Sequence, residues 1–166
     1  MRAKINDYFT KNCKDAANHG HLWYAIDTDR KHIMFSMDNI LVNVVEYDAR
    51  LHCILEYVHG DIRCYEVMYD KLFYTDDRHI IVEDALFAKA AKYRHQEHNY
   101  LKIGDDYFFD YDYFKRKLPK DSDICFDVYT IRPGSPIACM IVYENYQPIM
   151  AIVNCAYKKK KVGLYD

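Results

Sequence analysis

Glycine, proline and tryptophan are scarce in this chain, and the sequence signs of several common functions are missing. Its 166 residues include five glycines, four prolines and one tryptophan, and the formal net charge is −2. That charge excludes the overall basic excess typical of non-specific binding to nucleic acid or anionic membranes. No apolar run approaches the roughly 20 residues that cross a bilayer, and the polar segment 1–18 lacks the apolar stretch of a signal peptide. We therefore expect a cytoplasmic protein that does not bind membranes.

Short catalytic and cofactor-binding motifs are also missing. The chain has no glycine-rich phosphate loop, no Gly-x-Ser-x-Gly and no His-Glu-x-x-His. Its six cysteines are widely spaced and form no Cys-x-x-Cys pair, which favours small buried thiols in a reducing compartment over disulfides or a zinc site. We expect neither a cofactor nor a resident metal ion.

Tyrosine is the abundant residue type, with 17 copies. Each ring carries a large apolar body and a hydroxyl that needs a partner, so many of these rings should lie at the rim of a core or on a contact surface. Lysine, asparagine, aspartate and isoleucine are plentiful as well. This bias is typical of AT-rich genomes, including those of many viruses and phages, and it favours an accessory protein of a virus or mobile element.

The length predicts a single globular domain over 1–166, and hydrophobic spacing predicts its elements. An amphipathic pattern indicates a helix over 4–17. In the strand expected over 51–58, Leu51, Cys53 and Leu55 share one side. Short connections with turn residues favour hairpins. The expected strands cover 22–26, 32–37, 40–47, 51–58, 62–69, 124–131, 137–143 and 149–157.

A second helix is expected in the middle of the chain, over 82–101. Apolar side chains recur there at helical spacing: Val82, Leu86, Ala90, Tyr93 and Tyr100. His95 and His98 would then project from the opposite, solvated side, and two imidazoles do not complete a metal site. The predicted fold is α+β, with antiparallel sheets from two β-rich halves (about 22–69 and 124–157) packed against the N-terminal and central helices.

Aspartates and aromatic rings alternate after Gly104, and this run is the strongest candidate for a contact surface. A calcium loop is disfavoured because the Asp-x-Asp-x-Asp-Gly spacing is missing. An amphipathic segment with buried rings and hydrated aspartates is one interpretation, and a protein-binding surface with aromatic anchors is the other. The residues assigned to partner binding are Asp105, Asp106, Tyr107, Asp110, Tyr111 and Asp112.

Two Tyr-x-x-x-Lys spacings in the same region suggest a catalytic alternative. On a helix, the lysine of Tyr111–Lys115 or Tyr113–Lys117 would lie near the phenol. With His21 as a general base, Tyr113 and Lys117 could cleave a phosphodiester without metal. A chain this rich in tyrosine and lysine also produces the spacing by chance.

The sequence as a whole favours a binding or inhibitor protein that engages a protein partner through the 105–113 surface. A metal-independent phosphodiesterase or nuclease, acting on a nucleotide or RNA, is the alternative. Nucleic-acid binding through the lysine run at 158–161 ranks lower because the chain is acidic overall. Oligomeric state is not indicated by any pattern in the chain.

Overall fold

Antiparallel β-strands dominate this computed structural model, which describes residues 23–36, 40–58, 78–95, 97–120 and 123–155. Ten strands and few helices occur in those ranges, so the protein is a sheet-rich α+β protein. The chain divides into two compact units, Met1–Thr75 and Asp76–Asp166, and each is described separately. The single domain expected over 1–166 remains a prediction.

The described residues of unit 1 form three consecutive antiparallel strands and one helix. The strands are β1 (Trp23–Asp27), β2 (His32–Ser36) and β3 (Leu41–Glu46), and β2 lies between the other two. The helix α1 (Ala49–Val58) follows β3. These three strands agree with the expectations for 22–26, 32–37 and 40–47.

Helix α1 packs its apolar side chains against one face of that sheet. Leu51 and Leu55 are buried there against Tyr24, Ile33 and Phe35. The register places the three sheet residues on a common face, since Tyr24 pairs with Phe35 and Ile33 lies two residues before Phe35. This cluster forms the described core of unit 1.

The strand predicted over 51–58 is wrong, because this segment is α1. The side chain of Asp48 caps the helix and accepts a hydrogen bond from the Arg50 backbone N–H at 2.8 Å. Leu51, Ile54 and Leu55 then share one helical face. The same apolar residues also fit the two-residue period of a strand, and the capping aspartate resembles a turn residue, so the two patterns were ambiguous.

The described residues of unit 2 form seven strands, which make two separate hydrogen-bonded groups. Four of them hydrogen-bond in the order β4, β8, β9, β10, and the other three in the order β5, β6, β7. All these pairings are antiparallel. The strands are β4 (His79–Leu86), β5 (Lys92–His95), β6 (His98–Ile103), β7 (Tyr107–Asp110), β8 (Ile124–Thr130), β9 (Ala138–Glu144) and β10 (Gln147–Val153).

Aromatic rings connect the short helical segments of unit 2 to its four-stranded sheet. Phe87 begins a 3₁₀ turn after β4, and its ring lies edge-on to Phe126 of β8 at 5.2 Å between centroids. The ring of Phe87 also contacts Phe114 at 5.8 Å. Phe114 ends the helical turn α2 (Tyr111–Phe114). All three rings are buried.

The central helix predicted over 82–101 is wrong. This segment contains β4, the 3₁₀ turn, β5 and the start of β6. Edge pairing of β4 with β8 and the β5–β6 hairpin satisfy its backbone hydrogen bonds, and such tertiary pairing overrides a weak helical pattern. The break at Gly104 is a hairpin turn, where φ of +59° suits glycine.

The expected strands of the last third agree with β8, β9 and β10 within a few residues. The predicted helix over 4–17 and the predicted strand over 62–69 lie outside the described residues, as do the lysines at 158–161.

The helical assignment of α1 predicts different effects for two neighbouring side chains. Leu55 is fully buried and Cys53 is exposed, so Leu55→Ala should lower the free energy of unfolding by about 2–5 kcal/mol. The matched Cys53→Ala variant should change it by less than about 0.5 kcal/mol. Urea denaturation followed by circular dichroism measures both. Equal losses would contradict the helix, because on a strand the two side chains share a face.

Candidate functional site

An open groove of about 780 Å³ lies on one side of the four-stranded sheet of unit 2. Cys125 on β8 pairs directly with Tyr143 on β9, and Asp127 lies two residues further along β8. These three side chains therefore extend from the same face of the sheet. The volume is in the range of ligand-binding clefts.

Four carboxylates line this groove, and we call it the acidic groove. Glu83 and Asp84 come from β4, Asp123 immediately precedes β8, and Asp127 lies within β8. No basic side chain occurs among its described lining residues. The lining itself is negatively charged, with the Arg78 guanidinium as a basic group close to Tyr143, and this excess of carboxylates favours cations and positively charged side chains.

Asp127 is held in place by a hydrogen bond from the backbone of β4. Its Oδ1 atom accepts from the Asp84 backbone N–H at 2.8 Å, and its carboxylate lies near the Tyr143 hydroxyl. Burial, followed by the negative charge of Asp127, raises the pKa of Tyr143. The hydroxyl therefore keeps its proton and acts as a hydrogen-bond donor.

The thiol of Cys125 is half-buried beside these carboxylates. Burial, followed by the hydrogen bond to Asp84, raises the pKa of Cys125. A thiol in such surroundings stays protonated at neutral pH and is a poor nucleophile. The arrangement therefore opposes thiolate catalysis in the groove.

Tyr146 stands at the rim of the groove and is 86% exposed. It lies in the turn between β9 and β10, where Glu144 pairs with Gln147. Asn145 and Tyr146 both have positive φ angles, 51° and 62°, which is the geometry of a type I′ turn. Glycine is favoured at the second of these positions. The backbone of Tyr146 is therefore strained, and burial of its ring does not offset this cost.

Backbone strain is concentrated around the groove. Among the described residues, four non-glycine residues have positive φ, and Asp84, Asn145 and Tyr146 line the groove. Such conformations cost of order 1–3 kcal/mol each and cluster at ligand-binding sites in other proteins. This clustering makes the acidic groove the best candidate for a functional site.

A smaller depression of about 200 Å³ adjoins the acidic groove and shares Leu86 and Asp123 with it. Tyr111 lines this depression, together with Lys92. The Lys92 ammonium lies 5.3 Å from the Tyr111 ring centroid, a distance typical of a cation–π contact. One of the residues predicted to bind a partner therefore lies next to the groove.

The other residues predicted for partner binding are divided between the two ends of β7. Asp105 and Asp106 are exposed in the β6–β7 turn, and Asp105 lies 3.4 Å from the Lys102 ammonium. The Tyr107 hydroxyl donates to the Ser135 carbonyl at 2.9 Å. Asp105 and Asp106 are thus exposed side chains, and the Tyr107 hydroxyl is bonded within the chain.

Asp110 and Asp112 have structural partners at the other end of β7. Asp110 caps α2 by accepting from the Tyr113 backbone N–H at 3.2 Å. Asp112 accepts from the Asn99 backbone N–H at 2.8 Å and from the Lys115 ammonium. The bond from Lys115, followed by those from Asn99, holds the pKa of Asp112 well below its usual range. Both carboxylates stabilise the α2 region.

The predicted catalytic pair is in contact, but through the ring face. The Lys117 ammonium lies 5.3 Å from the Tyr113 ring centroid, as in a cation–π contact. Lys115 of the other Tyr-x-x-x-Lys spacing, Tyr111–Lys115, forms an ion pair with Asp112. His21 lies outside the described residues, so its predicted role as a base remains untested.

The residues of the acidic groove were not predicted from the sequence, although two signals were present. Asp127 is a charged residue inside β8, on the face opposite to the buried Phe126 and Val128, and charged residues are rare within central strands. Tyr146 occupies a short turn between two apolar strands, where glycine is usual. Glu83 and Asp84 were assigned to a helix, which hid their proximity to Asp127.

Comparison of the chain with protein-family models, with curated proteins and with solved structures found no match. In the part of the chain that the structure describes, no helix is long and apolar enough to cross a membrane.

The low pKa of Asp112 predicts an acid-sensitive contribution to stability. Because folding lowers this pKa from 3.8, the ionised carboxylate stabilises the fold fully above about pH 4, and the contribution is lost as pH falls further. Asp112→Asn should therefore show a smaller decrease in the free energy of unfolding on acidification. Denaturant titrations at a series of pH values from neutral to below pH 4 measure this decrease. An unchanged pH profile in Asp112→Asn would refute the assignment.

Proposed function

We propose that the protein is a non-enzymatic binding protein that holds a positively charged segment of a protein partner in the acidic groove. The observation that carries this proposal is the lining, in which four carboxylates stand beside an exposed, strained tyrosine. Exposed aromatic anchors and charged groups are the usual components of specific protein contacts.

Lysine and arginine side chains are complementary to this lining. Their ammonium or guanidinium groups pair with carboxylates such as Glu83 and Asp123, both of which are exposed. Their aliphatic stems can lie against Tyr146 and Leu86, whose exposed rings and methyl groups form the apolar part of the lining. The affinity should fall with salt, because these charges are near solvent.

The groove is better suited to this role than the 105–113 surface. Tyr107, Asp110 and Asp112 already hold intrachain hydrogen bonds, so they have fewer hydrogen-bonding positions left for a partner than the exposed carboxylates Glu83 and Asp123 of the groove. Tyr111 adjoins the groove through Leu86 and Asp123. Its predicted part in binding is therefore kept in the proposal.

An inhibitor role, a cytoplasmic location and a viral or mobile-element origin are also part of the proposal, and they rest on the composition of the chain. The phosphodiesterase alternative has less support, since the Lys117 ammonium lies against the ring face of Tyr113.

Two double variants with the same change of charge test which surface binds. We expect Glu83→Gln with Asp123→Asn to weaken binding of a fluorescein-labelled lysine–alanine peptide about five- to tenfold at low salt, since two ion pairs are lost. Asp105→Asn with Asp106→Asn removes the same charge outside the groove and should leave affinity within about twofold. Fluorescence anisotropy measures both, and a glutamate–alanine peptide of equal length serves as the probe control.

Each result has a distinct meaning. If only the Asp105→Asn, Asp106→Asn variant weakens binding, the partner binds the 105–113 surface and not the acidic groove. Equal weakening by both variants would show that binding depends only on the net charge of the protein. If the wild-type protein does not bind the lysine–alanine peptide, the proposal of a basic partner is wrong.

Replacing the strained tyrosine should separate stability from binding. Tyr146→Gly relieves a left-handed conformation and should raise the free energy of unfolding by up to about 1 kcal/mol. The same variant should bind the lysine–alanine peptide about tenfold more weakly, as expected for loss of an aromatic anchor. Thermal denaturation and anisotropy measure the two effects. Unchanged binding would show that Tyr146 is not part of the binding surface.

A further inference from the structure

His95 and His98 form a cross-strand pair at the end of the β5–β6 hairpin. They are separated by two residues in the sequence and lie directly opposite each other in the register. Side chains in such a pair point to the same face of the sheet, with Cβ atoms about 4.5–5.5 Å apart. The expectation that they project from a helix was wrong, because they face each other across two paired strands.

Two tyrosines support this pair from the adjacent position on the same face. Tyr93 and Tyr100 are also directly opposed in the register. The imidazole of His95 lies nearly parallel to the Tyr93 ring, at 8° and 6.3 Å between centroids. The imidazole of His98 lies 6.4 Å from the Tyr100 ring. Each histidine is thus placed beside the tyrosine of its own strand, which limits the orientations of both rings.

The pair is accessible from solvent. His98 is exposed and His95 is half-buried, so an ion can approach without opening the hairpin. No group of three or more His, Cys, Asp or Glu side chains suited to a metal ion occurs within the described ranges. A bound ion would therefore have two protein ligands and open positions for water.

We propose that His95 and His98 jointly bind a divalent transition-metal ion of the zinc, copper or nickel class. Imidazole nitrogen is a preferred ligand for these ions, with metal–nitrogen distances of about 2.0–2.1 Å for zinc. Two side chains rooted about 5 Å apart on one face can converge on one ion at that distance. The two histidines act as a bidentate ligand, and the hairpin holds them in register.

Isothermal titration of the untagged protein with Zn²⁺ tests the proposal. His95→Ala and His98→Ala should each weaken the binding at this site at least about tenfold, since each removes half of the protein ligands. His79→Ala removes an exposed histidine from β4 and is the matched control, with unchanged affinity expected. Mg²⁺ should give no corresponding binding, because it prefers oxygen ligands.

Electron paramagnetic resonance with one equivalent of Cu²⁺ gives an independent readout. The wild-type spectrum should show hyperfine coupling to two imidazole nitrogens, and either single variant should lose it. If Zn²⁺ affinity is unchanged in both variants, the ion does not bind at this pair. If only one variant loses affinity, the two histidines do not share one ion. If His95→Ala does not fold, as judged by circular dichroism, His98→Ala and His95→Asn decide the outcome.

Discussion

Side chains alternate between two faces along β8, and both the packing and the candidate site of unit 2 depend on this alternation. Phe126 and Val128 are buried on one face, whereas Cys125 and Asp127 line the acidic groove on the other. Because β8 lies between β4 and β9, a shift of one residue would exchange the two sets and bury Asp127 in the core. The register therefore fixes the core and the groove together.

The groove combines a rigid floor with a strained rim. Asp127 accepts a hydrogen bond from the Asp84 backbone and lies near the Tyr143 hydroxyl, and such polar contacts restrict side-chain orientation. Asn145 and Tyr146 at the rim hold left-handed conformations, which the β9–β10 hairpin imposes. A fixed set of carboxylates beside an exposed ring is preorganised for a ligand of opposite charge, which reduces the entropic cost of binding.

Local patterns predicted most described strands but failed where one pattern fits two structures. Short apolar runs bounded by turn residues placed β8, β9 and β10 within a few residues. Leu51 and Leu55 fit both a strand and a helix, and Asp48 as a cap selected the helix. The 82–101 segment had helical spacing, yet pairing of β4 with β8 made it a strand.

The sheet-rich α+β class, the acidic balance and the abundance of tyrosine were readable in the chain, because composition and short-range periodicity are local properties. The acidic groove was not, since its carboxylates come from β4 and β8, whose antiparallel pairing joins residues about 40 positions apart. Likewise, the spacing of His95 and His98 is local, but their orientation depends on whether the backbone pairs across strands or coils as a helix. Long-range strand pairing decided which of these side chains meet.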